Sequence, residues 1–259
     1  MFQKLGVQLF TVRNYLLDSD LTDLTFRKLA DMGYTEVQTA GNVFDEKCFG
    51  ELAAKNGIKI IGTHYDYKKI LNNPEETMEI HRMWGTTNVG IGGMPQPART
   101  NLDELKKFIL EFNRTAEIYA KNGFKLTYHN HNFEFVRIDG YKTLMDLLYE
   151  GFDPATVSFV LDTCWVAAGG GDVNAWLEKL AGRIDILHLK DLMIKRDKDG
   201  NLKPDVTEVG NGNLDWDSIL KTAQKIGVKY YVVEQDGNFP GSAFDSLKMS
   251  ADFLKKYQI

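Results

Sequence analysis

The chain has 259 residues and a mass of 29.4 kDa, with 43% hydrophobic and 26% charged residues, a formal net charge of −5 and a pI near 5.6. This is the balance of an ordinary globular protein with ample core, and its negative charge argues against general attraction to nucleic acid or anionic membrane. Two distant cysteines, Cys48 and Cys164, make no disulfide framework; with no cationic-then-apolar leader and no apolar run of about eighteen residues, the expected location is the cytoplasm.

In chain order, short β-rich runs alternate with helical patterns. Strands are expected at 5–10, 36–39, 58–63, 89–92, 125–131, 157–162, 184–190 and 230–234. Helices are expected at 21–32, 46–56, 75–84, 102–122, 141–149, 174–180, 216–226 and 243–257. Apolar residues recur at threes and fours, as in Leu105, Phe108, Ile109 and Phe112. Glycine stops follow Met32, Asn56, Asn122 and Ile226. Strict strand-helix alternation implies parallel pairing, and eight such units close most economically into a (β/α)8 barrel, a TIM barrel, occupying residues 1–259 as one domain. A doubly wound open sheet would carry a glycine loop after its first strand, and Gln8-Leu9-Phe10-Thr11-Val12-Arg13 is nothing like one. The stretch 192–214 reads as a long irregular loop that caps a site or moves. Gly169-Gly170-Gly171 reads as a flexible loop or, less readily, as a phosphate cradle. The stretch 210–216 reads as a helix entry, with Asp215 at the cap and Trp216 on the core side.

In a barrel of this kind, side chains at the C-terminal strand ends form the mouth. Four consecutive strands end in His129, Asp162, His188 and Glu234. Each alone has an ordinary explanation: a strand histidine is often a hydrogen-bonded core residue, and Asp162 can cap the next turn. Together, at corresponding positions, they form a ligand set for one divalent cation with sites left open for substrate oxygens.

The motifs Leu5-Gly6-Val7-Gln8-Leu9-Phe10-Thr11-Val12-Arg13, Tyr128-His129-Asn130-His131, Leu161-Asp162-Thr163-Cys164-Trp165, His188-Leu189-Lys190-Asp191, Gly210-Asn211-Gly212-Asn213-Leu214-Asp215-Trp216 and Val233-Glu234-Gln235-Asp236 together resemble the sugar phosphate isomerase/epimerase family of xylose-isomerase-like TIM barrels. The resemblance covers essentially the whole chain. It implies one Mn²⁺, Co²⁺, Zn²⁺ or Mg²⁺ held by residues of the fifth to eighth strands, and Asp162, His188 and Glu234 fall on three of the family's ligand positions. At the first, where many members have Glu, this chain has His129-Asn130-His131, as in one subgroup; His129 is taken as the ligand and His131, two residues on along the same strand face, as its neighbour.

The family's epimerases use two metal-bound glutamates, and here one remains. A ligating imidazole has no lone pair to spare, so symmetric two-base epimerisation is in doubt. One-base chemistry survives: the expected activity is that of a metal-dependent sugar isomerase/epimerase working through an enediolate, and elimination from a keto-sugar or keto-inositol by a lyase is the alternative. Glu234 is the expected base, removing a proton beside a metal-polarised carbonyl, and Lys190 an expected catalytic partner, unless Lys190 simply pairs with Asp191 or Glu234. Trp165, His64, His131, Glu134 and Gln8 are the candidate substrate contacts, with Arg13 at the same rim. The expected partner is a small sugar or sugar phosphate, and a homodimer through the outer helices is the default assembly. An endonuclease of related fold would need more than five histidines and a positive face. A non-catalytic sugar-binding barrel, or a subunit completed by a partner chain, is the remaining alternative.

Overall fold

The computed structural model describes residues 4–41 and 43–257. Its frame is eight parallel strands: β1 (Leu5–Gln8), β2 (Tyr34–Ala40), β3 (Lys59–His64), β4 (Asn88–Ile91), β5 (Lys125–His129), β6 (Val157–Asp162), β7 (Ile184–Leu189) and β8 (Tyr230–Val233). They stand side by side in the order β3-β2-β1-β8-β7-β6-β5-β4. The two outer strands, β3 and β4, meet at a seam where the Tyr65 amide donates to the Gly90 carbonyl at 2.7 Å. Gly90 permits that approach, since a Cβ there would lie 2.3 Å from the Thr63 carbonyl oxygen. The result is the nearly closed (β/α)8 barrel expected from the alternation.

The outer layer is α1 (Ser19–Met32), α2 (Glu46–Lys55), α3 (Pro74–Met83), α4 (Leu102–Lys121), α5 (Leu144–Gly151), α6 (Val173–Lys179), α7 (Trp216–Ile226) and α8 (Ala243–Leu254). Most starts are written locally: Asp18, Asp45, Asn101, Asp172 and Asp215 each accept a first-turn amide, and Thr143 and Ser242 open capping boxes. Trp216 is buried behind its Asp215 cap, as the sequence implies. Between helices and sheet lies the main apolar core, and a separate cluster of Ile61, Val160, Ile186 and Val232 packs together. Asp162, His188 and Glu234 come two residues after Val160, Ile186 and Val232, and residues two apart on a strand share a face. The second cluster therefore forms the floor beneath the strand-end polar residues.

Several expected boundaries are corrected. β1 ends at Gln8, not residue 10, because the Gln8 side chain accepts the Phe10 amide and caps a 3-10 helix over Leu9–Tyr15. β5 stops at His129, so strand alternation does not place His131. Residues 192–214 are not an irregular loop: Asp191–Arg196 pairs antiparallel with Leu202–Thr207 across a turn closed by Asp197. Charges on this projecting ribbon, and Pro204 within it, hid the strand pattern. Two short helices, Tyr67–Asn72 and Thr163–Ala168, were absent from the expected set, and α5 starts at Leu144 after a small hairpin of Arg137–Asp139 with Lys142–Thr143. Gly169 and Gly171 seat the Phe135 ring, which a Cβ at Gly169 would approach to 2.5 Å. Both cysteines are free. Among the described residues, no helix is long and apolar enough to cross a membrane.

Candidate metal centre

His129, Asp162, His188 and Glu234 converge at the mouth, each offering one ligand atom, and these four atoms all lie within 4.8 Å of one another. All four residues are buried. His129 Nε2 is 3.5 Å from Asp162 Oδ2 and 4.0 Å from Glu234 Oε2; His188 Nδ1 is 3.7 Å and 3.0 Å from the same two oxygens. Ligands bonded to one cation at about 2.0–2.2 Å stand about 3–4 Å apart, and the four imidazole–carboxylate distances above fall in that range. His129 Nε2 and Asp162 Oδ2 are buried with no hydrogen-bond partner, an arrangement that native proteins avoid unless something else satisfies the atoms. The donor set and these orphaned atoms fit one divalent cation.

Backbone and neighbours aim each ligand. His129 Nδ1 faces the Gly92 carbonyl at 3.4 Å, which turns Nε2 inward. The Asp162 amide donates to Asn130 Oδ1 at 3.0 Å. The cap expected of Asp162 is present: Oδ1 caps the helix Thr163–Ala168 through the Trp165 amide at 2.9 Å, while Oδ2 stays with the cluster. His188 Nε2 lies 2.5 Å from Gln38 Oε1.

Lys190 is buried beside the cluster, its Nζ 2.7 Å from Asp236, 3.2 Å from Glu234 and 3.6 Å from Asp162. It does not pair with Asp191, which instead accepts the amides of Leu192, Gly210, Gly212 and Leu214 and the Trp216 indole. Three carboxylates thus face one ammonium, an excess of negative charge that a divalent cation cancels. Burial works to raise both Asp162 and Glu234, but the Lys190 ammonium and the two imidazoles outweigh it and hold both carboxyls down. Burial also opposes charge on Lys190, yet Glu234, Asp162 and Asp236 raise it, so it remains an ammonium.

A cavity of about 710 Å³ opens over the cluster, lined by His129, Glu234, Lys190, His64, His131, Arg13, Phe10, Tyr65 and Asp236 among others. His131 reaches it from beyond the strand end, stacked on Phe133 with ring centroids 5.2 Å apart. Burial, then His129, pushes its imidazole down to about 3. His64 ends β3 with its ring 4.8 Å from that of His129. Arg13 lies on the Phe10 ring and donates to the Phe10 and Asp236 carbonyls. Trp165 is half-buried under Lys190, whose Nζ is 4.6 Å from the ring centroid. Gln8 and Glu134 sit behind the wall. Glu134 accepts the Tyr128 hydroxyl at 2.6 Å and the His131 amide at 2.8 Å, so it braces His131; burial pushes its carboxyl up to about 7, against both hydrogen bonds. Gln38 and Asp236 escaped the sequence reading. Gln38 lies two residues before the end of a buried strand, beside Gln8, and a polar side chain at that height was the available signal.

Fold and cluster together define a barrel with a built place for a divalent cation. Residues 26–257 match the model of the xylose isomerase-like TIM barrel family, and the chain belongs to that family. The inosose dehydratase of Bacillus licheniformis is 31% identical over 147 residues, which cover 52% of this chain and 48% of that protein. That of Lactiplantibacillus plantarum is 25% identical over 213 residues, covering 76% and 68%. The chain spans about half the length of most curated relatives it matches. Among solved structures, a sugar phosphate isomerase/epimerase from Parabacteroides distasonis superposes with a TM-score of 0.81 at 25% identity, over 97% of this chain and 93% of that one. An L-ribulose 3-epimerase shares the fold, with a TM-score of 0.73 at 15% identity over 98% and 93% of the two chains.

Proposed function

We propose that this chain is a metal-dependent lyase that eliminates water from a keto-sugar or keto-cyclitol. Its first step is removal of the proton next to the carbonyl by Glu234. The observation that carries this reading is the ligand set itself. One carboxylate, Glu234, both faces the cluster and lines the cavity; Asp162 has one oxygen committed to its helix cap; His129 stands where a second glutamate would serve a two-base epimerase. A divalent cation held by His129, Asp162, His188 and Glu234 supplies electron withdrawal at the carbonyl, which acidifies the neighbouring C–H.

The chain's own groups do the rest. Glu234, kept ionised by Lys190 and His188, takes the proton. The electron pair passes through the enolate to expel the hydroxyl one carbon further on, which leaves as water by taking the proton that Glu234 removed, so that Glu234 is again a carboxylate. Lys190, held as an ammonium, opposes the growing negative charge. His131 stays neutral and is placed to hydrogen-bond a substrate oxygen, with His64 as a further donor. Trp165 acts through Lys190 and the Asp162 cap, while Gln8 and Glu134 act through the side chains they brace. The inosose dehydratases among the relatives favour the lyase outcome. Isomerisation of a sugar or sugar phosphate shares the same first step and is the second reading, favoured by the Parabacteroides structure.

The test is deuterium uptake from solvent into a panel of keto-sugars and keto-inositols by protein loaded with Mn²⁺, Co²⁺, Zn²⁺ or Mg²⁺, read by NMR. Wild type should exchange the carbonyl-adjacent proton, and Glu234→Gln should lose at least a hundredfold in rate, in line with a removed general base. A Glu234→Gln variant that binds metal and exchanges at the wild-type rate would rule Glu234 out as the base.

A further inference from the structure

Beside His131, three histidines crowd the centre, His64, His129 and His188, yet the geometric ligand set contains only two of them. The reason lies in a chain of side-chain amides behind them. Gln8 Oε1 accepts the Phe10 backbone amide at 3.2 Å, which fixes that side chain's orientation, since a flipped amide would set N–H against N–H. Gln8 Nε2 must then donate, and it faces Gln38 Oε1 at 3.0 Å and His64 Nδ1 at 3.2 Å. The first contact fixes Gln38 with its oxygen toward Gln8, and the same oxygen lies 2.5 Å from His188 Nε2. An amide oxygen only accepts, so His188 Nε2 carries a proton. His64 Nδ1 accepts, so the proton of a neutral His64 sits on Nε2, an atom buried without a partner.

We infer that Gln8 and Gln38 form a relay that assigns opposite duties to two neighbouring imidazoles, making His188 a ligand through Nδ1 and His64 an N–H donor that cannot ligate. The inference rests on the metal-centre reading for its His188 half and for the exclusion of His64 from the ligands; the tautomer that Gln8 gives His64 stands apart from it. Gln38 is a positioning residue for the cation: its oxygen holds the His188 proton on Nε2, so the Nδ1 lone pair meets Asp162 and Glu234 at the ligand cluster. Gln8 is a positioning residue for His64. It occupies the only lone pair that a neutral His64 in this tautomer possesses, and so keeps a third imidazole out of the coordination set. The Nε2–H left over is an uncharged donor beside the ligands, suited to an oxygen acceptor on the substrate and unsuited to an ammonium or any other donor.

Two readouts test this without activity. Long-range ¹⁵N–¹H correlation of histidine-labelled, metal-free protein reports which nitrogen of each neutral imidazole carries the proton. Wild-type His64 should give a single Nε2–H pattern, and Gln8→Leu should convert it to a mixture. A mixture or an Nδ1–H pattern for wild-type His64 would overturn the relay. Calorimetric titration with Zn²⁺ should show Gln38→Leu binding ten- to a hundredfold more weakly than wild type, the usual cost of losing a histidine's outer partner. Gln38→Glu, which keeps an acceptor oxygen for His188 Nε2–H, should restore the affinity. Equal affinity in wild type and Gln38→Leu, or weakening in Gln38→Glu equal to that in Gln38→Leu, would overturn the positioning role. Wild type that binds no Zn²⁺ would overturn the metal-centre reading and the His188 half with it, while the His64 pattern would still decide the Gln8 half.

Discussion

Asp162 is tied to Trp165 by one carboxylate oxygen and free to serve the ligand cluster with the other: Oδ1 accepts the Trp165 amide at 2.9 Å, and Oδ2 has no hydrogen-bond partner. A helix start is thereby fastened to the site, and the carboxylate cannot rotate without giving up its cap. The proposed coordination and the local fold share one side chain, but not one atom.

Asp162→Asn and Asp162→Ala should therefore separate the two roles. Both should lose the roughly one equivalent of divalent metal expected in wild type, measured by elemental analysis of purified protein. The asparagine retains an acceptor for the Trp165 amide. The alanine forfeits it, at a cost of about 1 kcal/mol for a lost cap. Metal-free melting should rank alanine below asparagine, and full metal content in either variant would contradict the assignment.

Cation binding should stabilise the barrel. A metal at about a hundred times its dissociation constant adds about 2.7 kcal/mol, roughly 5–10 °C in Tm for a chain of this size. Thermal scans with Mn²⁺, Co²⁺, Zn²⁺ and Mg²⁺ should show the shift in wild type and not in His188→Ala. The mixed imidazole and carboxylate set predicts a smaller effect for Mg²⁺, which prefers oxygen ligands.

His81 sets a pH dependence remote from the centre. It is buried, with Nδ1 2.6 Å from the Thr77 carbonyl and Nε2 2.9 Å from the Thr63 hydroxyl. Burial pushes its imidazole down from 6.5 to about 4, against the Thr77 hydrogen bond. The unfolded chain takes up this proton below about pH 6.5 and the folded chain only near pH 4, so His81's contribution is complete above pH 6.5 and lost as pH falls between those values. Denaturant titrations across that window should show wild type losing about 3 kcal/mol more than His81→Gln. Equal pH slopes in the two proteins would refute the assignment.

Gly90→Ala should be severely destabilising, by about 3 kcal/mol or more, since the new Cβ would meet the Thr63 carbonyl at 2.3 Å and Thr127 Oγ1 at 2.5 Å. Gly237→Ala, with nothing within 4 Å of the added carbon, should change little. Chemical denaturation of the pair decides whether the β3–β4 seam is as tight as it stands here.

Much of this was legible because strand periodicity carries position as well as type. Once four consecutive strands read as ending in His129, Asp162, His188 and Glu234, these residues were expected together at the mouth. What stayed hidden depended on contacts between residues distant in sequence. Gln38 reads as one polar residue in a β run until His188, 150 positions away, is seen against it. Asp236 is unremarkable until Lys190 reaches it. The hairpin after β7 escaped because both its strands face largely away from the core, so burial wrote no alternation into them. His131 was expected on the face of His129, but β5 ends two residues before it, so alternation does not apply.

The last barrel strand has a consequence for when the centre can exist at all. β8 pairs with β1 on one side and β7 on the other, and Glu234 follows it directly. As a chain emerges from the ribosome, His129, Asp162 and His188 are present long before this strand can slot into place. Until it does, the sheet has a gap and the cation cluster lacks its fourth member. Closure of the barrel and completion of the proposed ligand set are then a single event, so an ion held by all four residues would certify a finished barrel, and a half-made one would let its metal go.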